Sequence, residues 1–270
     1  MLNRIMIKRK PSHRRGARNK HSSRPKKRRP TASDGVWIYG QHAGLAAIAN
    51  PKRQIHQLFI TRKFLESHGN ELPIDDFEIV DRGEIDAILP ADVVHQGIAV
   101  LAEPLPEMDI SELLECVAGN KRAVLLILDQ ATDPRNIGAV LRSGAAFGCA
   151  GVIVHDRNAP AATGALAKAA SGALEKIPMV RASNLRQALS ALQGAGFWCV
   201  GLDGSADKML GDAELGARLA LVLGAEGKGL RRLTRESCDD LVKIPITEDM
   251  ESLNLSNAAA ITLYETTRSG

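Results

Sequence analysis

Short apolar runs alternate with helical stretches through the second half of the chain, and this alternation restricts the fold more than any other feature. The runs that read as strands are 123–128, 151–154, 197–202, 220–223 and 242–246. The stretches that read as helices are 138–147, 165–171, 185–193, 230–238 and 258–264. Because strands joined through helices run in parallel and are covered on both faces, the pattern predicts an α/β domain with a parallel sheet.

Two polar loops follow strands of this domain. The first, residues 224–229, reads Gly-Ala-Glu-Gly-Lys-Gly, and its three glycines permit conformations that a β-carbon would forbid. Its spacing fits neither a dinucleotide site nor a P-loop, so a plain turn between strand and helix stays open. The second loop is residues 247–257. Ligands of open α/β sheets bind outside the carboxyl ends of strands, which predicts one crevice containing Glu226, Ser252 and Asn254.

A third polar segment follows the first strand, where residues 128–143 read LDQATDPRNIGAVLRS. In order and spacing, the three segments resemble the three motifs of the SpoU/TrmH family of RNA ribose 2′-O-methyltransferases, which belongs to the SPOUT superfamily. This resemblance covers roughly residue 122 to the C-terminus. The residues Tyr39-Gly40-x-His42-Ala43 and Val94-His95-Gln96-Gly97-Ile98 carry a weaker resemblance. It runs from Gly35 to about Pro104 and relates this region to the substrate-binding domain of the rRNA-directed members.

The resemblance implies properties that the local patterns do not. It implies a deep trefoil knot, a homodimer and S-adenosylmethionine as methyl donor, bound mostly through main-chain groups. The positions that match the family's cofactor contacts are Gly224, Ile244 and Leu253, with Leu202 at a position where the family varies. The positions that match its catalytic residues are Asn136, Arg142, Glu226, Ser252 and Asn254. The segment Ser171-Gly172-Ala173 also resembles one that lines the family's site.

Methyl transfer to a ribose 2′-hydroxyl needs alignment of oxygen, carbon and sulfur, and a group that accepts or stabilises the hydroxyl proton. In the family the arginine at the Arg142 position is the proposed base, although a guanidinium normally stays protonated. We therefore expect Arg142 to bind the neighbouring phosphate and stabilise the developing alkoxide. Both Asn136 and Arg142 could face the crevice if their helix begins near Asp133-Pro134.

The other candidate site residues have plainer interpretations too. Asn136 and Glu226 read as a polar pair that orients Arg142, but Glu226 could equally be an acid at a helix N-terminus. Ser252 and Asn254 can donate to ribose or phosphate oxygens, or cap the helix that follows. Asn257 departs from the family, where many relatives have an apolar residue.

The residues before this domain predict a second, smaller unit. Strands are expected at 36–40, 57–61, 77–80 and 99–102, with a helix over 41–50, which makes a small three-layer α/β domain. The resemblance assigns this region to RNA binding. His42 and His95 could contact RNA or could be packed or surface residues. A linker with a short helix capped by Ser111 is expected to join the two domains.

Charge is divided unevenly along the chain. Residues 1–33 contain 13 Lys and Arg and no Asp or Glu, which leaves 22 Lys and Arg against 31 acids in the rest. A segment this polar and cationic predicts a disordered arm that binds phosphate backbones. A solubilising tail, a transit peptide and a nuclear signal stay open. The predicted divisions are an arm (1–34), an RNA-binding domain (35–104), a linker (105–121) and a methyltransferase domain (122–270).

Together these features predict an enzyme that methylates a ribose 2′-hydroxyl of RNA, with a guanosine of large-subunit rRNA as the first choice. The alternatives are a tRNA methyltransferase and a non-catalytic RNA-binding protein with the same fold. Four scattered cysteines indicate a reducing compartment and predict no metal site. No apolar run reaches the roughly 18 residues of a membrane span, so we expect a soluble cytoplasmic protein without a membrane partner.

Overall fold

The computed structural model describes residues 35–74, 76–157, 159–247 and 249–268. The basic arm predicted for residues 1–34 lies outside the described residues. The described residues form one compact unit. In the part of the chain that is described, no helix has the length and hydropathy needed to cross a membrane.

The N-terminal part is built on a mixed four-stranded sheet. Its strands are β1 (Val36–Tyr39), β2 (Ile55–Ile60), β3 (Glu78–Ile79) and β4 (Ile98–Ala102), in the order β1-β4-β2-β3. The central strand β4 is buried along its whole length and runs antiparallel to both neighbours. The prediction of a buried strand at 77–80 is wrong in its extent, because only two residues pair with β2 and both are exposed.

Three helices accompany this sheet: α1 (Gln41–Ala49), α2 (Arg62–His68) and α3 (Arg82–Asp86). Helix α1 lies against β4 at Gly44, where an added β-carbon would come within 2.8 Å of the Ile98 side chain. The small residues of α1 therefore bring its axis close to the sheet. Buried side chains of α1 and β4 belong to the same apolar core as one face of the sheet in the C-terminal part of the chain.

The C-terminal part is built on a six-stranded sheet in which all neighbouring strands run in parallel. Its strands are β5 (Ala123–Leu128), β6 (Gly151–His155), β7 (Met179–Ala182), β8 (Trp198–Leu202), β9 (Arg218–Leu223) and β10 (Asp240–Val242). The order is β10-β8-β9-β5-β6-β7, which confirms the predicted α/β class and parallel sheet. Strand β7 was not predicted, and β10 ends at Val242 instead of Ile246.

Helices cover both faces of this sheet. They are α4 (Ile110–Val117), α5 (Pro134–Ala146), α6 (Gly164–Ala170), α7 (Leu185–Gly194), α8 (Arg232–Glu236) and α9 (Leu255–Arg268). Helices α5, α6 and α9 pack on one face, and α4 and α7 on the other. Helix α4 is capped by Asp109, whose carboxylate accepts from the Glu112 N–H at 2.9 Å, and not by Ser111 as expected.

The two central strands, β5 and β9, place the polar loops side by side. Leu128 at the end of β5 pairs with Leu223 at the end of β9. From β5 the chain continues to β6 on one side, whereas β8 lies beyond β9 on the other. The loops after β5 and β9 therefore meet at a point where the strand order reverses, which is where open α/β sheets bind ligands.

Candidate active site

The carboxylate of Glu226 joins three segments that are far apart in the sequence. Its Oε1 atom accepts from Asn136 Nδ2 at 2.7 Å, from Asn254 Nδ2 at 2.8 Å and from the Leu255 N–H at 3.1 Å. Asn254 Nδ2 also donates to Asn136 Oδ1 at 3.1 Å. We call Asn136, Glu226 and Asn254 the polar triad. It unites one predicted catalytic residue from each of the three sequence motifs.

Asn254 serves the triad and the last helix with one side chain. Its Oδ1 accepts from the Ser256 N–H at 2.9 Å and from Ser256 Oγ at 2.6 Å, which caps the N-terminus of α9. Both sequence interpretations of Asn254, a site residue and a helix cap, therefore fit the structure. The cap also explains why α9 begins at Leu255 rather than at the predicted residue 258.

Asn136 reaches the triad from the first turn of α5. The helix begins at Pro134, and the Asp133 side chain caps it by accepting from the Arg135 N–H at 2.8 Å. Pro at the first helical position needs no hydrogen-bond partner for its nitrogen. This start is the one expected from the sequence, and it fixes Asn136 beside the loop after β9.

The glycines of residues 224–229 are required by the turn itself. Ala225 and Gly229 exchange two backbone hydrogen bonds, at 3.1 and 2.9 Å, so the loop doubles back on itself. A β-carbon on Gly224 would lie 2.0 Å from the Gly229 carbonyl carbon. Gly227 and Gly229 have φ angles of 73° and 64°, which glycine adopts without strain. The backbone of Gly229 occupies the space beside Gly224, so the turn alone requires glycine at position 224, whether or not a ligand binds there.

An ion pair that the sequence analysis missed supports this turn. Asp129 is buried directly after β5, and its Oδ1 accepts from Arg231 Nε at 2.7 Å while Oδ2 accepts from the Arg231 N–H at 3.1 Å. The next residue, Gln130, has a φ of 63°, which is uncommon outside glycine. A carboxylate directly after a wholly apolar strand was the available signal for Asp129, whereas no local signal identified Arg231.

Arg142 and Ser252 stand apart from the triad. Helical geometry places Arg142 about 120° around α5 from Asn136, on the exposed face that also carries Arg135. Among the described residues, the side chain of neither Arg142 nor Ser252 forms a hydrogen bond or an ion pair. That Asn136 and Arg142 face one crevice stays a prediction, because the two side chains leave α5 in directions about 120° apart.

The four predicted cofactor positions lie at the carboxyl ends of the strands or in the loops beyond them. Leu202 ends β8, and Ile244 follows β10; both are half-buried against the core that also supports α5 and α9. Leu253 is half-buried directly before Asn254, and Gly224 follows β9. Half-buried apolar side chains at the carboxyl ends of strands are typical of small-molecule sites in α/β sheets.

The two histidines singled out from the sequence differ in their surroundings. His42 is exposed, whereas His95 is 1% exposed. The Gly97 N–H donates to His95 Nδ1 at 3.1 Å, and Nε2 lies 3.3 Å from a carboxylate oxygen of Asp86. Burial lowers the pKa of His95 despite this carboxylate, which fits a packed residue. Within the described ranges, no three His, Cys, Asp or Glu side chains could hold a metal ion.

Comparison with known proteins agrees with this arrangement. The model of the SpoU rRNA methylase family matches residues 123–264. The 23S rRNA (guanosine-2′-O-)-methyltransferase RlmB of Salmonella typhimurium is 37% identical over 242 residues, which cover 86% of this chain and 97% of that protein. The protein of the same name from Vibrio cholerae is 44% identical over 175 residues, covering 64% of this chain and 70% of that protein.

Solved structures show the same fold. The SpoU methyltransferase AviRb from Streptomyces viridochromogenes, in complex with AdoMet, superposes with a TM-score of 0.73 at 23% identity, over 87% of this chain and 90% of that one. An RNA 2′-O ribose methyltransferase superposes with a TM-score of 0.70 at 22% identity, over 86% and 88%. With the family model matching over half of the chain, and with the three motifs meeting at one edge of the sheet, the chain belongs to the SpoU rRNA methylase family.

Proposed function

We propose that this protein transfers a methyl group from S-adenosylmethionine to the ribose 2′-hydroxyl of a guanosine in large-subunit rRNA. The observation that carries the proposal is the polar triad, which joins the three motifs at the reversal point of the parallel sheet. Relatives named as 23S rRNA guanosine 2′-O-methyltransferases, aligned over 86% of the chain, support the choice of substrate.

The residues present fit the methyl donor. Gly224, Leu253, Ile244 and Leu202 would hold it, with main-chain groups for its polar parts and half-buried side chains for its apolar ring. When bound, S-adenosylmethionine supplies an electrophilic methyl group on a sulfonium sulfur. The role of this chain is then to hold the ribose in line with that group and to exclude competing water.

The triad fixes the orientation of the polar side chains, and Arg142 supplies the positive charge of the proposed site. Glu226 and Asn254 fix the amide of Asn136 through hydrogen bonds, and these partly or fully exposed side chains are the ones we expect to contact ribose or phosphate oxygens. Arg142 binds the phosphate next to the target ribose and stabilises the negative charge that develops on the 2′-oxygen. Ser252, exposed in the loop before α9, donates to the same nucleotide.

The position of Arg142 supports a homodimer. Its guanidinium lies on an exposed face of α5 without a partner in the described part of the chain. On α9, which packs on α5, Ile261 and Tyr264 are 41% and 55% exposed. A second copy placed on these two helices would cover the apolar side chains and bring Arg142 to a site at the interface. The trefoil knot implied by the family resemblance belongs to the same proposal, with α9 as the threaded segment.

The N-terminal sheet, residues 35–104, is assigned to RNA binding. It packs against the methyltransferase part at α6, where a β-carbon on Gly164 would lie 2.2 Å from the Trp37 carbonyl oxygen and 2.6 Å from the Tyr39 ring. RNA held on this sheet would therefore reach the N-terminus of α5, where Asn136 stands. The basic arm adds affinity for phosphates that does not depend on sequence.

The test is methyl transfer from labelled S-adenosylmethionine to large rRNA, small rRNA and tRNA, each isolated from cells that lack this protein. We expect label in large rRNA alone, at one nucleotide, with the adjacent phosphodiester resistant to alkali because the 2′-hydroxyl is blocked. Label in tRNA alone would show that tRNA, and not large-subunit rRNA, is the substrate. Alkali-sensitive linkages at the labelled nucleotide would contradict ribose methylation, and cofactor binding without transfer to RNA or to ribosomal particles would contradict the enzymatic assignment.

A further inference from the structure

A buried ion pair joins the N-terminal sheet to the methyltransferase part. The side chains of Arg53 and Glu175 are 3% and 5% exposed. Arg53 Nε lies 3.1 and 3.0 Å from the two Glu175 oxygens, and Nη2 donates to Oε1 at 2.8 Å. Asn50 Nδ2 donates to Glu175 Oε2 at 2.7 Å, and Arg53 Nη1 donates to the Glu103 carbonyl at 2.7 Å. We call these four residues the clamp.

The members of the clamp come from both parts of the chain. Asn50 ends α1, Arg53 lies in the turn before β2, and Glu103 follows β4, so three members belong to the N-terminal sheet. Glu175 stands in a short 3₁₀ turn directly after α6, in the methyltransferase part. The clamp therefore fixes one end of the N-terminal sheet to one end of α6.

Close backbone contacts lie along the same joint. A β-carbon on Gly172 would come within 3.2 Å of the His42 carbonyl oxygen and 2.9 Å of Ala46. A β-carbon on Gly164 would come within 2.2 Å of the Trp37 carbonyl oxygen. The segment Ser171-Gly172-Ala173, which resembles a site-lining segment of the family, thus contacts α1 in this structure. These contacts leave little room for the two parts to slide.

Two packed helices, α6 and α5, lie between the clamp and the polar triad. Helix α6 packs tightly on α5 at Gly138, where a β-carbon would lie 2.6 Å from the Leu166 carbonyl oxygen. Asn136 stands in the same first turns of α5 as Gly138. Helices α6 and α5 therefore form a continuous packed connection between the clamp and the triad.

The chemistry of the clamp suits orientation better than stabilisation. Replacing a buried ion pair by well-packed apolar residues is often neutral or stabilising. Stability alone therefore does not explain why an ion pair occupies this position. An arginine fork on a carboxylate, by contrast, fixes both distance and direction. An apolar contact in its place would permit rotation of the sheet against α6.

We propose that Arg53 and Glu175 are positioning residues, which hold RNA bound on the N-terminal sheet in register with the Asn136–Glu226–Asn254 triad. This inference rests on the function proposed above. It assigns the clamp to the alignment of the ribose, and neither to binding of RNA nor to binding of the methyl donor.

The test compares Glu175→Gln and Arg53→Lys with Glu236→Gln. The control removes the same charge from an exposed pair, in which Arg232 Nη1 and the Glu236 carboxylate are 2.7 Å apart. We expect amide hydrogen exchange to become at least about tenfold faster in residues 41–53 and 164–176 of both clamp variants, while residues 255–268 keep their protection. The turnover number on rRNA should fall about tenfold or more, with the dissociation constants of RNA and S-adenosylmethionine unchanged. The control should match the wild type.

Three results would overturn the proposal. The first is unchanged exchange in both segments. The second is faster exchange with full turnover, because the joint would then be uncoupled from the reaction. The third is a parallel fall of turnover, cofactor affinity and melting temperature, which indicates a general structural role. If the wild-type protein methylates no RNA, the proposed function fails and takes the alignment role with it, whereas the exchange measurement alone still decides whether the pair holds the joint.

Discussion

Replacement of Glu226 by alanine tests the triad most directly. The substitution removes the shared acceptor of three hydrogen bonds, from Asn136, Asn254 and the Leu255 N–H. Because Glu226 is exposed, each bond contributes about 0.5–1 kcal/mol net, the lower part of the usual range. The three bonds share one oxygen and are not independent, so the expected loss in the free energy of unfolding is about 2 kcal/mol.

This loss can be measured by thermal unfolding. For a chain of this size 1 kcal/mol corresponds to about 2–4 °C, so the melting temperature should fall by roughly 4–8 °C. Methyl transfer at 25 °C, well below the transition, should fall about a hundredfold because the Asn136 amide loses its orientation. Glu226→Gln keeps an acceptor oxygen at the same place, and it should lose only about tenfold in rate, with a smaller shift in melting temperature.

Lys228→Ala is the matched control, since Lys228 lies in the same turn, is exposed and forms no hydrogen bond among the described residues. It should unfold and react like the wild type. If Glu226→Ala melts within about 1 °C of the wild type and methylates RNA at the wild-type rate, the triad neither supports α9 nor orders the site, and the argument from its geometry is refuted.

Three further substitutions or reactions have defined outcomes. Arg142→Ala should lower the turnover number about a thousandfold with an unchanged melting temperature, because it removes an exposed charge that acts only on substrate; wild-type turnover would exclude it from the mechanism. Gly224→Ala should destabilise the fold by about 3 kcal/mol in urea titrations, since its β-carbon would lie 2.0 Å from the Gly229 backbone; equal stability would show that the turn can open. At pH 8 a maleimide should label exposed Cys116 quickly and the other thiols slowly, because burial raises the pKa of Cys149 to about 11 and of Cys199 and Cys238 to about 12. Since unfolded thiols ionise near pH 8.5 and these three thiols of the folded chain do not, the free energy of unfolding should fall as pH rises above about 8.5; rapid labelling of all four thiols would contradict the raised pKa values.

The sequence predicted the elements whose apolar pattern is unbroken. Strands β5 and β6 are buried along their length and were placed within one residue. Strand β7 was missed because Arg181 interrupts its apolar run. The Arg181 guanidinium is held by partners in the loop after β6, with Nε donating to Asp156 at 2.8 Å and Nη2 to the Ala159 carbonyl at 2.7 Å. Such partners become visible only in three dimensions.

The shift of β10 has a different cause. The run from Val242 to Ile246 is apolar apart from Lys243, but pairing with β8 involves Asp240 to Val242 and ends where β8 ends, at Leu202. Beyond that point Lys243 forms only an isolated bridge with Met209, Pro245 has no N–H to donate, and Ile246 is 41% exposed. Hydrophobicity alone could not distinguish a paired strand from an apolar loop beside a ligand crevice.

The candidate site was predicted through its motifs and not through its contacts. Motif resemblance identified Asn136, Glu226 and Asn254, and the structure brings them together. The buried support by Asp129 and Arg231 could not be predicted, because an ion pair between residues about a hundred positions apart leaves no local pattern. Arg142 was identified through its motif alone, and helical geometry directs it about 120° away from Asn136.

The hydrogen bond from Asn254 to Asn136 spans 118 positions of the sequence. During synthesis, the chain emerges from its N-terminus onward, so the residues of the parallel sheet and of α5 leave the ribosome before Asn254 and α9. Contacts between residues so far apart in the sequence form slowly. The contact between Asn136 and Asn254 also requires α9, because the packing of α9 stabilises it. The crevice is therefore assembled last, and a nascent chain still attached to the ribosome that makes it would have no organised site with which to modify that ribosome's RNA.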